Sequence, residues 1–349
     1  MLVVHISLVA VEHAGRGGWR APAHMMDEPR TSDRSSAASS TDWDGLSTFL
    51  GDSDEEERID GPSMRSLEPH DAHIAVLDHL THDEFAARFR HQRPCLLRGF
   101  ANGWPALSQW SDATHLRSLL PDETVTVLRA SDGRRFLKRD CTQERWSFAQ
   151  VADVLFAATP PAERIYARAP LRGGLRAGVC LRWLAELVNG SDSDPAGGDG
   201  AGWRPDEFKE SNCAVWLGSA GCVTPLHYDL CHGFLVGVRG TKHITYYPPE
   251  DYRALYPRPE QPELAQVDLD LWRQGQGAEA TEAGRAERAA HPRFADATAW
   301  HAVLAPGDVL YTPPFHWHHV ETAADEAAVS VLVPFDPRAD EPVHACHFR

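Results

Sequence analysis

Residues Thr224-Pro225-Leu226-His227-Tyr228-Asp229, with Phe315-His316-Trp317-His318-His319-Val320 much further on, are the two stretches on which the reading of this chain turns. On a β-strand, residues i and i+2 point to the same face. An H-x-D strand therefore aims the His227 imidazole and the Asp229 carboxylate at one point, and His318 can close the set from a strand packed opposite. Two imidazoles and one carboxylate on one face of a metal leave its other positions open, as non-haem Fe(II) oxygenases require. The tripeptide alone is a weak signal, since with 19 His in an acidic chain, chance supplies about one H-x-D. Its surroundings carry the weight.

Around it lie many short apolar runs. Cys213–Leu217 and Val223–Asp229 flank a turn at 218–221. Phe234–Val238 and His243–Tyr247 flank what reads as a hairpin turn at Arg239-Gly240, where glycine accepts a positive φ. Trp300–Leu304, Val309–Thr312, His318–Thr322 and Ala328–Val333 follow as further strands. Short strands with Gly/Pro turns predict a mainly β core, a sandwich or barrel, with flanking helices. Upstream, Ile74–Leu77, Arg93–Phe100 and Thr124–Leu128 read as strands. Thr81 with Glu84 makes a capping box that opens a helix. Residues 112–120, Phe148–Ala158 and the surface segment 277–290 read as helices, and 189–204 as a flexible loop. The expected layout is a Ser- and acid-rich disordered tail over 1–70, strands and helices over 71–204 packing on a core at 205–336, and a short tail at 337–349. Trp43–Leu50 is the one amphipathic piece of the first tail.

The 349 residues, 42% hydrophobic with 11 Trp, suffice for a substantial core. A net charge of −16, from 34 basic and 50 acidic residues, opposes nonspecific binding to nucleic acid or to an anionic membrane. The 7 Cys are scattered with no C-x-x-C pair, which fits a reducing compartment and no disulfide framework. No apolar run is long enough to span a membrane, and residues 2–11 are apolar but lack a basic region before them. The expectation is a cytoplasmic or nuclear protein with no membrane partner. Oligomeric state is not written in the sequence.

The segments TPLHYDLCHGFLVGVRGTKHITYYPP (224–249) and GDVLYTPPFHWHHVET (307–322) resemble the Jumonji C (JmjC) family, and RPCLLRGFANGWPALSQW (93–110) is similar to the entry segment of its small hydroxylases. The likeness spans about residues 73–336. It includes the asparaginyl hydroxylase that inhibits the hypoxia-inducible factor, and small hydroxylases of protein side chains or tRNA bases. The resemblance implies a double-stranded β-helix of the cupin (jelly-roll) class that uses Fe(II), 2-oxoglutarate and O₂. It implies His227, Asp229 and His318 as metal ligands, with His316 as the rival should the register slip. It also implies Thr224 and Lys242 on the distal carboxylate of 2-oxoglutarate, and Tyr166 reaching the same co-substrate. A buried carboxylate does need a cation and a hydroxyl donor. Trp216 reads as packing first and channel lining second, Tyr228 as core, and Cys231 and His232 as unremarkable loop residues. His319 and His243 should face away from the site.

Three positions depart from the family pattern. Gly233 stands where many such hydroxylases have Asn, Leu332 where an Asn is frequent, and His316 where a Trp is usual. The first two remove polar groups from the pocket neighbourhood. The implied reaction is hydroxylation of a protein side chain, with succinate and CO₂ released. Lysine demethylation and tRNA-base hydroxylation are the alternatives within the family, the latter disfavoured by the acidic balance. A cupin-fold binding protein without catalysis is the alternative outside it.

Overall fold

The computed structural model describes residues 73–137, 140–157, 163–190 and 212–341. The tail expected over 1–70, the Trp43–Leu50 piece and most of the 189–204 loop lie outside the described residues. The first half runs β1 (Ala75–Leu77), α1 (His82–Arg88), β2 (Cys95–Leu97), α2 (Ala106–Gln109), α3 (Ala113–Ser118), β3 (Thr124–Ala130), β4 (Cys141–Ser147), α4 (Phe148–Leu155), β5 (Tyr166–Pro170), α5 (Gly173–Ala177) and α6 (Arg182–Asn189). The second continues with β6 (Ala214–Gly218), β7 (Val223–His227), β8 (His232–Arg239), β9 (Lys242–Tyr247), β10 (Pro257–Arg258) and β11 (Gln261–Ala265). It then gives α7 (Leu269–Gln274), α8 (Glu282–Ala290), β12 (Trp300–Leu304), β13 (Val309–Thr312), β14 (Trp317–Thr322) and β15 (Ala328–Phe335).

The strands form two sheets. One is nine-stranded, ordered β1-β2-β13-β8-β15-β6-β5-β3-β4, and the other six-stranded, ordered β10-β11-β7-β14-β9-β12. From β6 to β9 each strand lies in the sheet opposite its predecessor, and so it is from β12 to β15. This sheet-switching path is the jelly-roll expected from the sequence. Two expectations change. Phe234–Val238 and His243–Tyr247 are not a hairpin, because β8 and β9 belong to different sheets. Gly240, at φ +66°, turns the chain from one sheet to the other, and a Cβ there would meet the Ala327 carbonyl oxygen at 2.4 Å. Second, β7 ends at His227, so Asp229 comes from the chain just beyond the strand.

Alternation along the strands divides the two faces of the nine-stranded sheet. Phe234, Val236, Val238, Val309, Tyr311, Val329, Val331 and Val333 pack on one face with Phe85, Phe89, Trp110 and Leu116 from the helical segments. Their neighbours Gly233, Leu235, Leu310, Thr312 and Leu332 turn to the other face and line the cavity between the sheets. A one-residue slip would exchange these sets, so burying both faces fixes the register. On the six-stranded sheet, Leu226, Tyr228, Tyr247 and Trp317 pack outward with Leu269, Trp272 and Phe294.

The N-terminal strands extend the larger sheet. At α1 the Thr81 hydroxyl accepts from the Glu84 N–H while the Glu84 carboxylate accepts from the Thr81 N–H, the capping box read from the sequence. Strands β4, β5, β10 and β11 and helices α2, α5, α6 and α7 were not anticipated. The β4 sequence CTQERWS is largely polar and carries little strand signal; it forms because β3 offers it a seven-residue antiparallel partner.

Candidate metal centre and its cavity

Strands β7 and β14 pair antiparallel with His227 opposite His318, and then Thr224 opposite Val320. Three residues of β7 thus span two of β14, a bulge at Pro225-Leu226. In a regular strand Thr224 and His227 would point to opposite faces; the bulge turns both into the cavity. Pro225 suits the position, having no N–H to lose from the ladder.

The His227 and His318 ring centroids are 4.1 Å apart. His227 Nδ1 lies 2.7 Å from the Pro225 carbonyl oxygen, and His318 Nδ1 lies 2.9 Å from that of His316. A carbonyl only accepts, so each Nδ1 carries the proton and each Nε2 presents a lone pair. This is the orientation a metal-ligating imidazole needs. Asp229 Oδ2 is 3.9 Å from His318 Nε2, and the ligand atoms of His227, Asp229 and His318 all lie within 4.8 Å of one another. Asp229 Oδ1 is buried with no hydrogen-bond partner among the described residues. Its backbone carbonyl is held by the Phe315 N–H at 2.8 Å. Burial, with His318 close by, holds His227 well below the usual imidazole range, and burial pushes His318 down to about 4. Burial pushes Asp229 up to about 7. Two neutral imidazoles and an under-bonded carboxylate converging on one point fit a divalent cation.

His316 stays out of this cluster: it is buried, and it contributes its carbonyl to orient His318. His319 faces outward, 4.0 Å from Asp270 and 3.8 Å from Glu321. His243 is exposed while Lys242 is buried.

The other end of the cavity is cationic. Lys242 is 2% exposed, makes no ion pair among the described residues, and has its Nζ 3.4 Å from the Tyr166 hydroxyl. Tyr166 stacks on Trp216 at 5.5 Å and lies over Gly218, its cross-strand partner, where a Cβ would meet the ring at 2.8 Å. Thr224 is buried beside them on the cavity wall. Lys242 on β9 does not neighbour β7; β14 lies between.

A cupin-like domain model matches residues 81–341. The chain belongs to the cupin-like family. Several of its relatives carry Jumonji C or JMJ names. The Jumonji C domain-containing protein 5 of Drosophila melanogaster is 27% identical over 308 residues, covering 83% of this chain and 69% of its own length. Lysine-specific demethylase 8 of Danio rerio is 34% identical over 243 residues, 68% of this chain and 52% of that protein. The human bifunctional peptidase and (3S)-lysyl hydroxylase JMJD7 is 26% identical over 255 residues, 68% and 76%. The chain spans about half the length of several of these relatives. By their names, the zebrafish relative is a lysine demethylase and the human one a lysyl hydroxylase and peptidase.

Sequence reading missed two sets of residues. Tyr246 and Thr312 line the same cavity, hydroxyl to hydroxyl at 2.6 Å. The parity of 242, 244 and 246 on β9 contained the signal for Tyr246; nothing marked Thr312. The second set is His91, His232 and Glu341, whose ligand atoms also lie within 4.8 Å. Here the carboxylate is already engaged. Tyr311 Oη accepts from the His91 N–H at 2.9 Å, so its own proton goes to His232 Nδ1 at 2.7 Å. His232 Nε2 then donates to Glu341 at 2.8 Å, and Arg90 takes the other carboxylate oxygen. This chain of bonds ties Glu341 to the start of β8. Among the described residues no helix is long and apolar enough to cross a membrane.

Proposed function

We propose that this chain is an Fe(II)- and 2-oxoglutarate-dependent oxygenase that hydroxylates a side chain of a protein substrate, with His227, Asp229 and His318 holding the iron. The observation that carries the reading is the pairing of a three-ligand cluster with a buried lysine in one cavity. A buried ammonium with no carboxylate beside it among the described residues calls for an anionic ligand. A metal-chelating acid with a second, distal carboxylate satisfies both ends at once. Iron with 2-oxoglutarate and O₂ supplies the oxidising power, releasing succinate and CO₂.

The chain's own residues bind and orient. Lys242 pairs with the distal carboxylate, while the Tyr166 and Thr224 hydroxyls donate to it. The Pro225 and His316 carbonyls keep both imidazoles in the ligating tautomer. Leu235, Ile244, Leu310 and Leu332 keep water away from the metal end. Lysine is named for both the human and the zebrafish relatives, which makes lysine-bearing peptides the first substrates to try. Demethylation is the second reading, favoured by the 34% identical relative's name.

Anaerobic titration of the protein with Fe(II) and 2-oxoglutarate is expected to produce a visible charge-transfer band. Incubation with O₂ should then release succinate and add 16 mass units to a substrate peptide; loss of 14 from a methylated one would select demethylation. A protein that binds neither iron nor 2-oxoglutarate would be a binding module on the same fold, and the proposal would fall.

A further inference from the structure

Register divides the cavity into two ends. On the β9–β14 ladder Tyr246 lies beside His318, and Lys242 lies beside Thr322. Four residues separate them, roughly 13 Å along the strand. Donors at the lysine end are already accounted for by Lys242, Tyr166 and Thr224. Around Tyr246 the wall is apolar, with Leu235, Ile244 and Leu310, except for one pair. Tyr246 Oη and Thr312 Oγ1 are 2.6 Å apart, and the Tyr246 ring lies 5.9 Å from that of His318.

The backbone beside this pair is open. Thr312 is the cross-strand partner of Gly233. A Cβ at Gly233 would meet nothing nearer than Leu332 Cδ1, at 3.5 Å. Neither crowding nor a positive φ demands glycine there, so its effect is to leave space on the cavity side of Thr312. Here a hydroxyl pair stands next to the gap, Thr312 from the neighbouring strand and Tyr246 from the opposite sheet.

Two hydroxyls sharing one hydrogen bond use one proton and leave one over. The phenol is the more acidic of the two hydroxyls and the better donor, so it donates to the threonine. The Thr312 proton therefore remains for a ligand. In an apolar wall beside a cation, the group that an O–H donor suits is a carboxylate oxygen, to which the bond is charge-assisted.

We infer that Thr312, oriented by Tyr246, donates a hydrogen bond to the metal-chelating carboxylate of the 2-oxo acid, in the space left open at Gly233. Thr312 is a binding residue and Tyr246 a positioning residue. The inference rests on the proposed co-substrate and adds the group that fixes its reacting end.

Two probes separate the ends: 2-oxoglutarate, and pyruvate, a 2-oxo acid with no distal carboxylate. Each is titrated anaerobically into Fe(II)-loaded protein and followed by the charge-transfer band. Thr312→Val should weaken both by about 10-fold and displace the band maximum, and Thr312→Ser should bind within about 3-fold of the wild type. Tyr246→Phe should fall between them, because the Thr312 hydroxyl survives without its orienting partner. Lys242→Met should weaken 2-oxoglutarate and leave pyruvate unmoved. Unchanged binding in Thr312→Val, loss of 2-oxoglutarate alone, or an equal loss in Thr312→Ser each overturns the inference. If wild-type protein forms no 2-oxo acid complex, the proposed function falls with it; if the wild-type complex forms and Thr312→Val does not alter it, only this inference falls.

Discussion

His227 and His318 stand opposite each other across the β7–β14 ladder, with ring centroids 4.1 Å apart and both Nδ1 protons committed to backbone carbonyls. Neither imidazole has room for a charge, and the nearby Asp229 has an oxygen with no hydrogen-bond partner among the described residues. The site is preorganised for a cation and uncomfortable without one.

That discomfort has a pH dependence. Burial raises Asp229 from 3.8 to about 7. A carboxyl raised on folding costs stability increasingly as pH rises from 3.8 towards 7, and the full cost persists above 7. A bound divalent ion removes it. The rise in Tm on adding Fe(II), or Mn(II) as a redox-stable substitute, is therefore expected to be larger at pH 8 than at pH 6. Asp229→Asn should show no such difference. Equal shifts at both pH values in the wild type would mean that Asp229 does not bind the metal as a carboxylate.

Lys242 is expected to separate stability from function. Lys242→Met removes a buried cation that has no counter-charge among the described residues, so the ligand-free protein should melt at the same temperature or higher. Its 2-oxoglutarate affinity should fall by about 1.5–3 kcal/mol, the worth of a hydrogen bond to a charged group. Calorimetry and co-substrate titration on one preparation check both. A large loss of Tm would make Lys242 a structural residue.

The strut from Arg90 through Glu341 to His232 predicts acid sensitivity away from the metal. Bonds from His232 and Arg90 outweigh burial and hold Glu341 down to about 2, while burial holds His232 down to about 4. Both folded-state values lie below the unfolded ones. The stability they confer is present above the unfolded values and is lost as pH falls from about 6.5 through 4 towards 2. Unfolding free energies from urea titrations of wild type and Glu341→Gln should differ most near neutrality, by about 1–3 kcal/mol, and converge in acid. A constant gap from pH 7 to pH 3 would dismiss the strut.

Gly237 lies where β8 meets the 305–308 turn, and a Cβ there would sit 2.3 Å from the Ala305 carbonyl oxygen. The Gly237 N–H bonds the Asp308 carbonyl and the Gly307 N–H bonds the Gly237 carbonyl, so neither side can retreat. Gly237→Ala should destabilise by at least about 1–3 kcal/mol, as overpacking does. Gly233→Ala, with open space before it, should be nearly neutral in Tm. Equal melting temperatures for the two variants would contradict this geometry.

Legibility followed the range of the forces involved. Local signals gave the Thr81–Glu84 capping box and the limits of β12 and β13, because caps, alternation and turn chemistry act within a few residues. Strand β4 was invisible because its own sequence is polar and β3 supplies its reason to exist. Reading Phe234–Val238 and His243–Tyr247 as a hairpin failed for a related reason. A glycine turn says that the chain reverses, not whether the second strand returns to the same sheet.

The sequence by itself determined the chemistry available: an H-x-D pair, a distant His318, a threonine three before and a lysine fifteen after, in an alternating frame that permits one buried face. Only the tertiary structure decided how these converge. Period-two alternation puts Thr224 and His227 on opposite faces, and the bulge at Pro225-Leu226 reverses that, because β14 spans with two residues what β7 spans with three. It likewise brought Tyr246 and Thr312 together beside the space left by Gly233, across strands 66 residues apart in the chain. Such contacts depend on which sheet each strand joins and in what register. Those are settled by burying both sheet faces at once, which no local stretch of sequence encodes.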